Sequence, residues 1–212
     1  MAELGDFPEK KARRQPFTEA EEWMKATALL KKQHRKAEGI FEKLEKNRAL
    51  DPSAELSELA NDLAAHMAIE QDLFYPAVQD IDEKQIAESY EEHAIAELAL
   101  KRLVATAGDD PMFAARVTAL KELILHHVEE EEKELFPEVE KKMDANQLDA
   151  LGEEMATAFE EAVAQGYESL LPEGLEASAD AARQSSGGTR PERPPKRRSE
   201  KDRPAPKHRP AH

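Results

Sequence analysis

The chain contains no cysteine. Disulfides, iron–sulfur clusters and thiolate zinc sites are therefore excluded, and imidazole and carboxylate are left as its metal-binding groups. Aromatic residues make up only 5% of the chain and glycine only 8 of its 212 positions. β-Branched residues are sparse as well, so there is little from which to build strands. No run approaches the roughly 18 apolar residues of a membrane span. The opening residues, MAELGDFPEKKARRQPF, lack the apolar core of a signal peptide. A cytoplasmic chain with no membrane partner is expected.

What is present favours helices. Charged residues reach 35%, and Ala, Leu, Glu and Lys, all strong helix formers, dominate the first 180 or so positions. An all-α fold follows. The formal charge of −15 is unevenly spread, because residues 183–212 hold ten Lys or Arg against three acids, a net of +7. The remainder therefore carries −15 − 7 = −22. A body that acidic repels nucleic acid and anionic membranes, so a nucleic acid or an acidic protein would be met only by the tail.

Residues 1–16 have no period and read as a flexible arm, and residues 17–143 read as four long helices. Helix 1 begins at a capping box of Thr18 and Glu21 and runs to about Asn47 through Trp23, Leu30, His34, Ala37, Phe41 and Leu44. Helix 2 starts at Asp51-Pro52, with proline at the first helical position, and is expected to kink or end beyond Pro76. Helix 3 opens at Asp82 with Gln85 as capping partner and closes at a glycine cap, Gly108. Helix 4 starts at Asp110-Pro111 and reaches about Met143 through Leu120, Leu123, Ile124 and His127. A shorter accessory helix lies within 144–171. Residues 172–212 have the Ser, Gly, Pro and Arg composition of a disordered tail. Short connections make consecutive helices antiparallel, which gives an up-down-up-down four-helix bundle with an extra C-terminal helix.

Two segments carry the chemistry. LAAHMAIEQDLFYP, Leu63 to Pro76, is repeated as ILHHVEEEEKELFP, Ile124 to Pro137, with His66, Glu70 and Pro76 matched by His127, Glu131 and Pro137. Each of the four bundle helices places one histidine on its apolar stripe, with a glutamate four residues later: His34 and Glu38, His66 and Glu70, His93 and Glu97, His127 and Glu131. That spacing puts both groups of a pair on one helix face. The helical period and the repeat both select His127 over His126 as the inward residue. Imidazoles and carboxylates converging in an aliphatic core persist only when paired or metal-bound. A bundle core lined in this way is a standard frame for a dinuclear metal site. Residue type alone leaves iron, manganese and zinc open. Ferritin-like sites use Glu-x-x-His instead, a spacing that these pairs do not have.

This pattern resembles the hemerythrin family in its HHE cation-binding branch. The resemblance spans about residues 18–143 and rests on a histidine in helix 1, His-x-x-x-Glu in helix 2, a histidine in helix 3, and His-x-x-x-Glu followed by Phe-Pro in helix 4. It implies two non-haem irons joined by an oxo bridge and by the carboxylates of Glu70 and Glu131. His34 and His66 would hold one iron, and His93 and His127 the other. Glu97 stands where the oxygen carriers of the family have a second histidine, and is expected to ligate as a carboxylate or to leave a position open. Glu38 is expected to be structural or exposed.

The function implied is binding of dioxygen, nitric oxide or peroxide for sensing, scavenging or peroxide handling. A binding protein is expected rather than an enzyme with assigned catalytic residues. The competing reading is a regulatory or interaction protein in which the metal staples the bundle and the basic tail meets the partner.

Overall fold

The structure is a computed structural model that describes residues 24–46 and 51–171. Among these residues every regular element is helical. The expected arm, the Thr18 capping box, Trp23 and the tail lie outside the described residues. None of the described helices is long and apolar enough to cross a membrane.

Four rods form the bundle. The first is α1, Ala26–Lys46. The second joins α2, Ser53–Ile69, through a π-helical turn, π1, Glu70–Phe74, to α3, Tyr75–Val78. The third is α4, Glu83–Val104. The fourth joins α5, Phe113–Glu130, through π2, Glu131–Leu135, to α6, Phe136–Lys142. Contacts of α1 with α2, α2 with α4, α4 with α5, and α5 with α1 close the ring. A fifth helix, α7, Ala145–Gln165, packs across α1 and α2, and a single turn, α8, Tyr167–Leu170, leans on α2.

Neither proline breaks its rod. A proline ring clashes with the carbonyl four residues back, which here belongs to Asp72 or Lys133. In both rods the preceding turn widens, so that the N–H of Tyr75 bonds to the Glu70 carbonyl and the N–H of Phe136 to that of Glu131. The expected kink is replaced by a wide turn that begins at a glutamate of the repeat, and π turns of this kind gather at functional sites.

The helix ends follow local chemistry with small shifts. Asp51 accepts the Ser53 N–H at 3.0 Å and Asp110 the Met112 N–H at 2.7 Å, but both helices start later than expected, with Pro52 itself capping α2. Asp82 accepts the Gln85 N–H at 3.0 Å, while the Gln85 side chain turns away to the Glu130 carbonyl. Asp144 and Gln147 make a full capping box at the start of α7. Gly108 is not the cap of α4, which ends at Val104. It sits where a Cβ would meet the Pro52 ring at 2.7 Å, so only glycine lets the two connections touch.

The core is divided. One apolar cluster includes Phe41, Leu59, Leu63, Leu100 and Leu120, and a second includes Leu30, Phe74, Tyr75, Phe136 and Met155. Each fully buried Leu or Phe contributes about 1.5–3 kcal/mol. Between the clusters lie the buried polar residues His34, His66, Glu70, His93, His127 and Glu131. Leu123, expected on the inward stripe of its helix, is 38% exposed instead.

The seating of α7 depends on Gly152, where a Cβ would come within 2.8 Å of the Ala26 nitrogen and still closer to the Met24 carbonyl oxygen. Gly39, mid-helix in α1, has nothing within 4 Å of the same position. Gly152→Ala should cost about 1–3 kcal/mol through overpacking, and Gly39→Ala should gain about 0.5–1 kcal/mol from helix propensity. Thermal unfolding of the two variants should therefore move Tm in opposite directions, and equal shifts would count against the close approach of α7 to α1.

Candidate metal centre

The four helical stripes place their histidines at one level of the bundle, halfway between the two apolar clusters. His34 comes from α1, His66 from the last turn of α2, His93 from α4 and His127 from the last turn of α5. Glu70 and Glu131 are the first residues of π1 and π2, and both are fully buried.

The imidazoles point Nε2 at one another. His34 and His66 approach to 3.2 Å through their Nε2 atoms, and His93 and His127 to 3.0 Å. Glu70 Oε2 lies between the two pairs, 3.2 Å from His66 Nε2 and 3.4 Å from His93 Nε2. Glu131 Oε2 answers it from the other side, 3.5 Å from His34 Nε2 and 3.6 Å from His127 Nε2. Two groups with metal-ligand spacing result, His34 with His66, Glu70 and Glu131, and His93 with His127 and Glu70.

Outer partners fix the rings. His34 Nδ1 is 2.8 Å from Glu132 Oε1, His66 Nδ1 2.7 Å from Gln33 Oε1, and His127 Nδ1 2.8 Å from Glu92 Oε2. Each of these partners accepts, so each Nδ1 carries the proton and leaves the Nε2 lone pair facing inward. Arg35 also binds Glu132, at 2.6 Å, and offsets its charge.

The donor set fits a cation and fits poorly without one. Three of the four oxygens of Glu70 and Glu131 lack a hydrogen-bond donor, although buried polar groups are almost always satisfied. Burial, and then the charge of Glu131, push the Glu70 carboxyl well above its ordinary range. Burial opposes ionisation of Glu131 too, but the imidazoles of His127, His34 and His66 outweigh it and hold that carboxyl at about 2. Burial and neighbouring imidazoles keep His66 and His93 well below the ordinary range. At His127 burial is overcome by Glu131 and Glu92, so its value rises. A cation at the centre would face neutral imidazoles and let both carboxylates ionise, relieving opposed lone pairs about 3 Å apart.

At the position before the proline the two halves of the repeat differ by one atom, the hydroxyl oxygen of Tyr75 against Phe136. Phe136 stacks on His34 at 6.0 Å between ring centres, and its counterpart Tyr75 sits 5.4 Å from His93. The Tyr75 hydroxyl donates to Glu131 Oε1 at 3.0 Å, and its oxygen lies 3.1 Å from His93 Nε2. Burial and the two carboxylates raise the phenol well above its ordinary value. In the sequence Tyr75 is marked only by its place in the repeat, just before Pro76. The mismatch of Tyr and Phe at the same repeat position was the available signal. Gln33, Glu92 and Glu132 carried no such signal, because they reach their histidines across the bundle.

Glu97 is not brought into either group. It is buried at 7% exposure and accepts from Gln71 Nε2 at 3.2 Å. The His93 side therefore has the Tyr75 oxygen near it where the sequence suggested a carboxylate. His126 faces outward, with a side chain 65% exposed beside Glu130 and Glu92, as the helical period required. Glu38 pairs with Arg35 at 3.1 Å on the surface of α1.

Residues 25–139 match the model of a family described as the hemerythrin HHE cation binding domain. Among curated proteins, a DNA nickase of Nostoc sp. is 26% identical over 136 residues, which is 63% of this chain and 38% of that protein. The chain thus spans well under half the length of that relative. Among solved structures, a hemerythrin HHE cation binding domain-containing protein of Mycobacterium kansasii aligns with a TM-score of 0.62 at 28% identity, over 74% of this chain and 99% of that one.

Metal content per chain, measured after equilibration with a limiting cation, should separate the roles of these residues. Glu131→Ala should lose the bound cation. Glu92→Ala, which frees His127 Nδ1, should weaken binding by about 10–100-fold. His126→Ala should match the unaltered chain, and metal loss there would move the centre outward from the place assigned to it.

Proposed function

We propose, from the fact that this chain belongs to the hemerythrin HHE cation binding domain family, that it is a non-haem di-iron protein that takes a small ligand. The ligand is dioxygen, nitric oxide or peroxide, and the role is sensing, scavenging or peroxide handling. The observation that supports this reading most is that Glu70 belongs to both metal-holding groups. A carboxylate shared by two sets of imidazoles suits two cations held side by side in a bundle core. In this reading His34 and His66 would hold one iron and His93 and His127 the other, with the carboxylates of Glu70 and Glu131 available to both. When bound, the irons would supply one-electron redox chemistry and an open position for a small molecule.

The chain's own residues do the rest. Glu132, Gln33 and Glu92 keep three imidazoles in the ligating tautomer. Tyr75 holds the Glu131 carboxylate and places a hydroxyl proton at the centre. Leu30 and Leu63, at 0% and 3% exposure, keep bulk water from two sides. A buried hydroxyl proton held at the centre by Tyr75 supports ligand handling over reversible carriage. Metal analysis of the full-length protein should find about two irons per chain, the number a shared-carboxylate bundle site is built to hold. Its optical spectrum should show bridge charge-transfer bands that change on adding nitric oxide or hydrogen peroxide. A long-lived oxygen adduct that releases on deoxygenation would overturn the preference for handling over carriage.

A second reading, a regulatory protein that meets nucleic acid through its tail, is favoured by the net +7 of residues 183–212. Deleting residues 180–212 should leave the metal spectrum unchanged and abolish retention on a nucleic-acid column if the tail has that role. Equal retention of both forms would remove this reading.

A further inference from the structure

A cavity of about 570 Å³ lies between α1, α2 and α7, and reaches all four imidazoles of the centre. Small-molecule pockets span roughly 300–1,000 Å³. A diatomic ligand or peroxide is little larger than water, which takes about 30 Å³ in the liquid, and would leave most of this space unfilled. Leu29, Leu63, Met67, Ile124, Val128 and Phe159 make its wall mainly apolar. Lys32, Lys36, Asp62, Glu153 and Glu160 line it as well, and this near-balance of charge favours neither a cation nor an anion. Lys36 and Asp62 are in any case paired at 2.6 Å.

Among the described residues, two polar nitrogens of the lining residues have no hydrogen-bond partner, Gln33 Nε2 and His93 Nδ1, and Asp62 Oδ2 has only its ion pair with Lys36. Gln33 Nε2 is buried without a hydrogen-bond acceptor, and its orientation is dictated from the other end of the amide. His66 Nδ1 is protonated when Nε2 faces the centre, so Gln33 must present its oxygen there, at 2.7 Å, and its NH2 elsewhere. The cavity thus has a donor of fixed orientation close to His66, in a wall that is mainly apolar. Its outer wall comes from Gly152, Ala156 and Phe159 of α7, a helix that lies beyond the family match at residue 139.

We infer that this cavity binds a neutral, mainly apolar organic molecule with one oxygen acceptor, of the class of tertiary alcohols and alkyl hydroperoxides. The oxygen accepts from Gln33 Nε2, and the hydrocarbon body lies against α7. The site rests on the cavity and on Gln33, not on the identity of the metal.

The test titrates the full-length protein with 2-phenyl-2-propanol and with isopropylbenzene, which lacks the oxygen, by calorimetry. The alcohol should bind about fivefold more tightly than the hydrocarbon, the worth of one net hydrogen bond. Ala156→Phe should weaken both by at least about tenfold while metal content per chain stays the same. Ala156→Leu serves if the larger residue unfolds the chain. No binding at the solubility limit, unchanged affinity in the folded variant, or tighter binding of the hydrocarbon would each overturn the proposal. Chelator-treated protein should bind the alcohol as well, so binding without recoverable iron sinks only the di-iron reading, and iron without binding sinks only this one.

Discussion

Four imidazoles and two carboxylates at one level of an aliphatic bundle set the terms for everything around them. Left to itself such a layer is unfavourable, because desolvated carboxylates repel each other and nitrogen lone pairs face one another at about 3 Å. Its persistence requires stabilisation from above and below. The two apolar clusters flank the layer on either side, and the same stripe residues that build them continue through each histidine position. The bundle is therefore two hydrophobic cores clamped on one polar plane. The rods must stay long enough to keep both cores closed.

The polar plane is ordered from outside as much as from inside. Glu132, with Arg35 behind it, and Glu92 and Gln33 act at the Nδ1 edges of the rings. Because these partners come from neighbouring rods, a shift of one helix along another would undo a tautomer before it broke an apolar contact. Ring orientation and helix register are thus the same constraint. Tyr75 adds the asymmetry, a hydroxyl on the His93 side that Phe136 lacks on the His34 side.

Much of this was legible in the sequence, and the reasons are specific. His34, His66, His93 and His127 could be placed because helical period fixes which face a residue takes, and the repeat chose His127 over its neighbour. Asp82 was legible because capping is local chemistry. Contacts that join distant parts of the chain were not. Gly108 read as a helix cap and proved to be a close approach to Pro52, 56 positions earlier in the sequence. Glu97 was expected, from the resemblance, to ligate or to leave a position open, and which of the two holds depends on a contact the sequence does not show, that of its carboxylate with Gln71 on another rod. Leu123 fell on the apolar stripe by count and still faces outward, since an 18-residue helix of this width buries only part of its nominal face. The prolines announced a disturbance, but whether the backbone kinks or widens depends on the packing beyond it.

The wide turns π1 and π2 bear on how this chain can change. Each holds one more residue than an α turn would, and each is followed by an aromatic that packs on a histidine. Losing a single residue from either would restore the ordinary spiral and rotate everything beyond it by about 100°. Tyr75 or Phe136 would then swing out of the core together with the rod that carries it. Away from Glu70 and Glu131, a substitution in these segments alters a local contact, whereas a one-codon deletion rewrites a whole face. Length, over these ten positions, constrains the fold as much as any side chain does.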